Sequence, residues 1–321
     1  MQENGLKHRT ERLLNFQTVS MLTTLHEYKI WQNEVIKIRQ ETKESLANCR
    51  MIQSAEAFSA ISHFAIDTDR LKKLALDKTI PKTREEQELA GFRDVLRAID
   101  KNYAFIRINS AQILQQHKEL YRYVGSVVGG QIQNTEKIKA LDALCEQYEN
   151  AIAEGFDPLL LIPIFIQDFL GLKPFCEGNE AMSGLWALLL FYRAGYLVGE
   201  YISIGKRIES TQEEYGKCLQ SHEKGEDLPF VKYLLQILKA VYEEFFDKVK
   251  VYEAECSKPD QVRELIKNTA GTITKSEILQ GCPGVSLVTV QRTLNELVKN
   301  GAIEKIGGGR YTQYIWKEKE E

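Results

Sequence analysis

Lys173-Pro-Phe-Cys-Glu-Gly-Asn-Glu-Ala-Met-Ser-Gly184 lies between two strongly apolar stretches, and the fold is read outward from it. Upstream, Asp157-Pro158 is a strong helix start, a capping carboxylate followed by proline at the first helical position. The helix it opens ends at Gly171-Leu172. Downstream, a second helix begins near Asn179 and runs through Trp186-Ala-Leu-Leu-Leu-Phe-Tyr-Arg-Ala-Gly-Tyr196, apolar on nearly all sides and therefore central. The quoted segment is thus a loop running into a helix N-terminus. Free backbone N–H groups at Gly178-Asn179 and the helix dipole make such a turn an anion nest. The nearby side chains oppose that use: Glu180 adds a carboxylate, and Ala181 and Gly184 bring no positive charge.

The remaining composition narrows the class. With 321 residues the chain can bury one sizeable core and a small appended module. A formal charge of −3 gives no global attraction to nucleic acid or membrane, so any such binding must come from a local patch. The six cysteines (49, 145, 176, 218, 256 and 282) are scattered without a C-x-x-C pair, which predicts neither a disulfide framework nor a zinc site and fits a reducing compartment. The N-terminus lacks the apolar stretch of a signal peptide. The runs Leu159–Leu172 and Leu185–Tyr192 are too short, or too interrupted by Pro163, Gln167 and Asp168, to span a bilayer. The expectation is a bacterial, cytoplasmic protein with no membrane contact and no metal site.

Seven prolines and apolar spacings of three and four predict a largely helical chain. A long helical pattern runs from about Thr24 to Phe64, a second covers Arg84 to about Tyr103, and a third starts near Ser110 with Asn109 or Ser110 as its cap. Gly125–Asn134 is the clearest internal loop. Composition changes after the charged stretch ending at Pro259. There the order helix (Asp260–Asn268), helix (Lys275–Gln280), turn (Cys282-Pro-Gly-Val), helix (Ser286–Asn300) and two short strands around Gly307-Gly-Gly309 predicts a winged helix-turn-helix. Its third helix is capped by Ser286 and faces inward with Leu287, Val290, Leu294 and Leu297; Ile303, Ile306, Tyr311 and Tyr314 supply the wing. Ser286, Thr289, Arg292, Thr293 and Lys299 point outward, with Arg310 at the wing tip, as a candidate DNA-binding surface. A packing or dimer element is the competing reading, since the basic excess is modest and phosphate neutralisation dominates DNA affinity.

The central segment resembles the Fic-family motif, His-x-Phe-x-(Asp/Glu)-Gly-Asn-Gly-Arg-x-x-Arg. Pro174, Phe175, Glu177, Gly178 and Asn179 stand where the family has them; the family's histidine is Lys173, its last glycine is Glu180, and its arginines are Ala181 and Gly184. The resemblance extends to Pro81–Ala98, to Ile113-Leu-Gln-Gln-His117 with Leu120-Tyr121, to Phe156–Phe169 ahead of the motif and to a helix at Glu200–Leu219 after it. It implies a mainly α fold, a Fic-fold helical bundle with a C-terminal winged helix-turn-helix carrying a small β-hairpin wing. The expected divisions are an N-terminal helical region (1–105), a Fic core (106–255) and the winged module (256–321). A homodimer is implied by the family alone.

The resemblance also implies an activity, the transfer of AMP from Mg·ATP onto a hydroxyl of a target protein, and the departures bear on it. In the family the histidine is the base, a function worth roughly 10²–10⁴ in rate. Lysine is protonated at neutral pH and cannot accept a proton, so Lys173 is expected to be a cation paired with Glu177 and Glu180. Each missing arginine removes a charge-assisted contact of roughly 1.5–3 kcal/mol to phosphate. Glu177 matches the family's magnesium-binding acid, but such a site takes its other ligands from the nucleotide. The family's inhibitory Ser/Thr-x-x-x-Glu-Gly is degenerate here, with Phe58, Ser62 and His63 in its key places. Its flap hairpin shrinks to the Gly125–Asn134 loop, and His117 is expected to brace the motif loop. The expectation is no cofactor and no intact catalytic residue. A binding or regulatory protein follows, with DNA at the winged helix or a protein in the former target groove as partner. An adenylyltransferase, or another nucleotidyl- or phosphotransferase with an altered site, stays open beside it.

Overall fold

In a computed structural model the chain is described at residues 5–35, 38, 40–124, 129–130, 132, 134–223, 225–254, 258–267, 269, 271–282, 284–309 and 312–317. The helices are α1 (Gly5–Leu13), α2 (Phe16–Val35), α3 (Gln40–Ile61), α4 (Thr68–Ala75), α5 (Arg84–Asn102), α6 (Ser110–Leu120), α7 (Thr135–Ala153), α8 (Pro158–Leu172), α9 (Asn179–Arg193), α10 (Ile204–Glu209), α11 (Gln212–Glu223), α12 (Leu228–Ala254), α13 (Lys258–Lys267), α14 (Lys275–Gly281) and α15 (Leu287–Lys299). Three short strands, β1 (Thr272–Thr274), β2 (Ile303–Ile306) and β3 (Gln313–Trp316), complete the expected mainly α fold. Contacts divide the chain into two compact units, Met1–Phe246 and Asp247–Glu321.

In the first unit the two apolar stretches flanking the motif form the centre. Asp157 caps α8 through Leu159 N–H (2.9 Å) with Pro158 in its first turn, and α8 packs on α7 and α9. Phe165, Phe169, Trp186 and Tyr192 are fully buried there. Asp168, a charge on this apolar helix, is held by Arg9 of α1, whose guanidinium also grips Asp227 (2.7 and 2.8 Å). Asn109 and Asn134 cap α6 and α7 by accepting from backbone N–H groups, so the chain enters both with satisfied donors. Among the described residues no helix is long and apolar enough to cross a membrane.

Two helical expectations are corrected. The continuous pattern from Thr24 to Phe64 is two helices, because α2 and α3 answer to different partners. Gln32 of α2 donates to the Gly195 carbonyl (2.5 Å) and accepts from Leu197 N–H and Tyr242 Oη, whereas α3 packs on α10, α4 and α5, with Arg50 paired to Asp100 (2.9 Å). No proline or glycine marks the break between them. The single helix at Glu200–Leu219 is instead a 3-10 turn at Val198–Glu200 followed by α10 and α11. Ser203 caps α10 and the hydroxyls of Ser210 and Thr211 both bond the Arg207 carbonyl, side-chain bonds that compete with a continuing helix.

The second unit has the helix order and hairpin expected of a wing. Its antiparallel sheet runs β1-β3-β2, pairing Ile273 with Tyr314 and Ile303 with Trp316; β1 was not expected. A capping box between Thr274 and Glu277 starts α14 and Ser286 caps α15. The inner face of α15 is Val290, Thr293, Leu294 and Leu297, the i, i+3, i+4, i+7 set. Leu287 therefore leaves the expected stripe, being 54% exposed, while Thr293, expected to point outward, is buried. Ile306 is also exposed. Arg310 and Tyr311 lie outside the described residues.

Gly91 fixes how α5 meets α6. A Cβ there would lie 1.9 Å from the Leu120 carbonyl oxygen, an approach only glycine permits. Gly91→Ala is expected to destabilise the protein by at least about 1–3 kcal/mol through overpacking. Gly216→Ala on α11, where nothing lies within 4 Å, should be neutral or stabilising by up to about 1 kcal/mol. Urea unfolding of both variants checks the contrast.

Candidate functional site

The motif loop is shaped by a few uncharged groups. Lys173 ends α8 in the left-handed region (φ 43°), turning the chain so that Pro174 and Phe175 become buried. Asn179, the first residue of α9, then closes the loop from both sides: its Oδ1 accepts from Phe175 N–H (3.0 Å) and its Nδ2 donates to the Phe175 carbonyl (2.8 Å). Gly178 between them has φ 74°, and a Cβ on it would fall 2.7 Å from Tyr121 Oη. Ile132 forms an isolated antiparallel bridge to Phe175; residues 125–128, 131 and 133 of the expected loop lie outside the described residues.

His117 braces this loop as expected. Its ring stacks on Phe175 (centroids 3.7 Å apart, 4° between planes). Gly130 N–H donates to Nδ1 (2.9 Å), so the proton sits on Nε2, which donates to the Glu177 carbonyl (3.0 Å). Burial lowers the affinity of the ring for a second proton. Both nitrogens are engaged, and this histidine is not a substitute base.

The charges are arranged differently from expectation. Glu177 pairs with Arg84 (2.7 Å) rather than with Lys173, because the first residue of α5 reaches the loop from across the groove. Arg84 also binds Glu88 one turn along its own helix (2.8 Å), and this bond first, then the Glu177 charge, raises its pKa. Lys173 is exposed, and its carbonyl accepts from Lys137 Nζ (2.6 Å). Glu180 is exposed in the first turn of α9, where the helix dipole favours a carboxylate. Ala181 and Gly184 follow; a Cβ on Gly184 would have nothing within 4 Å.

These residues border a groove of about 870 Å³, lined by Lys173, Glu177, Gly178, Asn179 and Glu180, with Glu88 opposite. Phe58 and Ile61 at the end of α3, and Ser62 after it, line the groove as well. Phe58 is buried, stacked on Phe92 (4.4 Å, 7°) and edge-on to Phe64 (5.6 Å); Ser62 and His63 follow the last turn of α3, His63 at φ 56°. The groove offers three carboxylates, one lysine and no arginine from the motif helix. It does not fit Mg·ATP: the acid that would face the metal is held by Arg84, and Glu180 stands at the nest that would take phosphate. Among the described residues no group of three or more His, Cys, Asp or Glu is placed to hold a metal.

Arg84, Glu88 and Gln167 are the site residues missed from sequence. The i, i+4 spacing of Arg84 and Glu88 was legible, but nothing local tells that Arg84 meets a residue 93 positions away. On the C-terminal unit, Ser286, Arg292 and Lys299 are exposed, Thr289 is half-buried with its hydroxyl 2.9 Å from that of Ser286, and Thr293 belongs to the core.

Comparison with solved structures identifies the fold. A Fic family protein from Desulfovibrio desulfuricans G20 matches with a TM-score of 0.63 at 20% identity, covering 96% of this chain and 98% of that one. Fic-1 from C. elegans matches with a TM-score of 0.62 at 16% identity over 71% of each chain. A Fic domain-containing signaling protein from Bacteroides thetaiotaomicron VPI-5482 matches with a TM-score of 0.60 at 13% identity, over 75% of this chain and 99% of that one. The fold is that of Fic family proteins. No family profile and no curated protein matches the sequence itself.

His117 links the loop to pH. Its proton affinity is lowered in the fold, so the unfolded chain protonates first as pH falls. The stability it contributes is full above the unfolded value near 6.5 and is lost as pH falls through that value toward the lower folded one. Thermal midpoints between pH 7.5 and 5 should show wild type falling faster than His117→Gln, so that the advantage of wild type narrows with acid.

Proposed function

We propose that this protein is silent in the AMP transfer associated with its fold and works by binding, as a regulatory protein whose C-terminal module contacts DNA. The arrangement around Glu177 carries the first part. Its carboxylate is neutralised by Arg84 within the protein, and the phosphate nest is bordered by Glu180 with no arginine at positions 181 or 184. A triphosphate would meet repulsion where catalysis on this fold needs a clamp, and position 173 carries a lysine where the family has its base histidine.

The second part rests on the module. Residues 256–321 carry ten Lys or Arg against eight Asp or Glu, a small basic excess in a chain that is acidic as a whole. Arg292 and Lys299 are exposed on α15, and Ser286 and Thr289 stand at its start. Such a helix presents hydroxyl and guanidinium donors to phosphates and base edges. One observation favours the alternative, a nucleotidyl- or phosphotransferase with an altered site: Arg84 brings a guanidinium to the motif from another helix. It is turned to Glu177 and Glu88, which speaks for structural neutralisation.

Millimolar Mg·ATP should leave the thermal midpoint unmoved, whereas a micromolar Kd would add about 4 kcal/mol. A saturable upward shift would overturn the silent reading. The quadruple variant Lys173→His, Glu180→Gly, Ala181→Arg, Gly184→Arg should gain ATP binding and slow self-labelling. All four are needed together, since groups acting as one unit are non-additive.

DNA affinity should fall steeply with salt, and Arg292→Ala and Lys299→Ala should each weaken it across sequences while leaving the fold intact. Absence of binding to genomic fragments at low salt, measured by fluorescence anisotropy, would assign the module to packing instead.

A further inference from the structure

Glu180 and Ala181 border a second space as well as the groove. This is an apolar slot of about 100 Å³ walled by Phe58, Phe92, Leu96, Leu185 and Leu188, with Gly184 contributing no side chain. Arg50 borders the slot, but Asp100 (2.9 Å) and Tyr192 (3.3 Å) occupy its guanidinium, so the slot carries no free charge. Glu180 stands at the mouth shared by slot and groove, and among the described residues its carboxylate has neither ion-pair nor hydrogen-bond partner. Lys173 faces the groove but not the slot.

A separate observation concerns Gln167 of α8. It lines the groove, is fully buried, and both its amide atoms lack a partner in the protein. An orphaned buried amide loses its hydration without a replacement bond, so an apolar residue would stabilise this helix better. Gln167 thus keeps a donor and an acceptor unused behind the groove wall, which a bound polar group reaching past that wall would satisfy.

We infer that groove and slot together form a binding site for a small organic cation, a primary amine with an apolar arm. The arm fills the slot, where each methylene removed from water strengthens binding. The ammonium sits at Glu180, and a neutral polar group on the ligand, such as a carboxamide, satisfies Gln167. This rests on the reading that the groove takes no nucleotide; the same carboxylate that repels phosphate attracts the amine.

Calorimetry on the full chain tests it with three probes: 2-phenylethylamine, 3-phenylpropionate, which has a carboxylate in place of the amine, and phenylalaninamide, which adds a carboxamide. The amine should bind one to one, at least tenfold more tightly than the carboxylate. Glu180→Gln should weaken it about tenfold, and Gly184→Leu, which fills the slot from a position with open space around it, should abolish it while the protein stays folded by circular dichroism. Gln167→Leu should raise the melting temperature of the free protein and erase the advantage of phenylalaninamide over 2-phenylethylamine. Equal binding of amine and carboxylate, or amine binding indifferent to both Glu180→Gln and Gly184→Leu, would overturn the site. No amine binding together with no response to Mg·ATP overturns this inference and leaves the proposed function standing. A response to Mg·ATP without amine binding overturns both.

Discussion

The reciprocal bonds between the Asn179 side chain and the Phe175 backbone hold the motif loop, and through it the groove, in shape. A neutral amide is the side-chain group that can accept from one N–H and donate to the neighbouring carbonyl at once. With Phe175 so fixed, its ring lies flat against His117, and His117 in turn ties Gly130 to Glu177. Gly178 supplies the left-handed step that lets α9 begin there, under the hydroxyl of Tyr121. No ionised group takes part in this chain of contacts. The loop owes its geometry to an amide, a glycine and two stacked rings.

What was legible in the sequence follows from how local each feature is. Asp157-Pro158, Asn109 and Ser286 announce helix starts because a cap is satisfied within three residues of itself, and each lies where it was read. The loop's frame was legible because Pro174, Phe175, Gly178 and Asn179 are contiguous. The break between α2 and α3 was not, since Gln32 is positioned by Gly195 and Leu197 and not by its neighbours. The inner face of α15 was misread for a related reason. Leu287 sits in the first turn, before the helix has met its core, and Thr293 is carried inside by Val290 and Leu297 on either side of it. Burial by position overrides polarity for one hydroxyl. β1 is three residues long and draws its pairing wholly from β3, so no periodicity marked it.

The charges form a second layer around this loop. A glutamate at position 177 facing a groove with no motif arginine would be an isolated negative charge beside Glu88. Arg84 stands between the two and meets both, so the cluster needs no external cation to be tolerated. Phe58 lines the same groove from α3. Its ring buries itself on Phe92, where a carboxylate, with no guanidinium at positions 181 and 184 to pair with, would be desolvated and unpaired.

Shape and chemistry part company here for an energetic reason. The residues that set the loop are anchored in the core: Phe175 and His117 are almost fully buried, and a Cβ on Gly178 would collide with Tyr121. Changing any of them costs folding free energy whether or not the site does chemistry. The residues at the open side of the loop are not anchored. Lys173 and Glu180 are exposed, and the space beside Gly184 is open. Substitutions at such surface positions typically move stability by less than about 0.5 kcal/mol. Folding alone therefore suffices to hold the loop's shape whatever stands at these exposed positions, so a recognisable loop is evidence of the fold, while the identities at positions 173, 180, 181 and 184 are what would bear on any reaction.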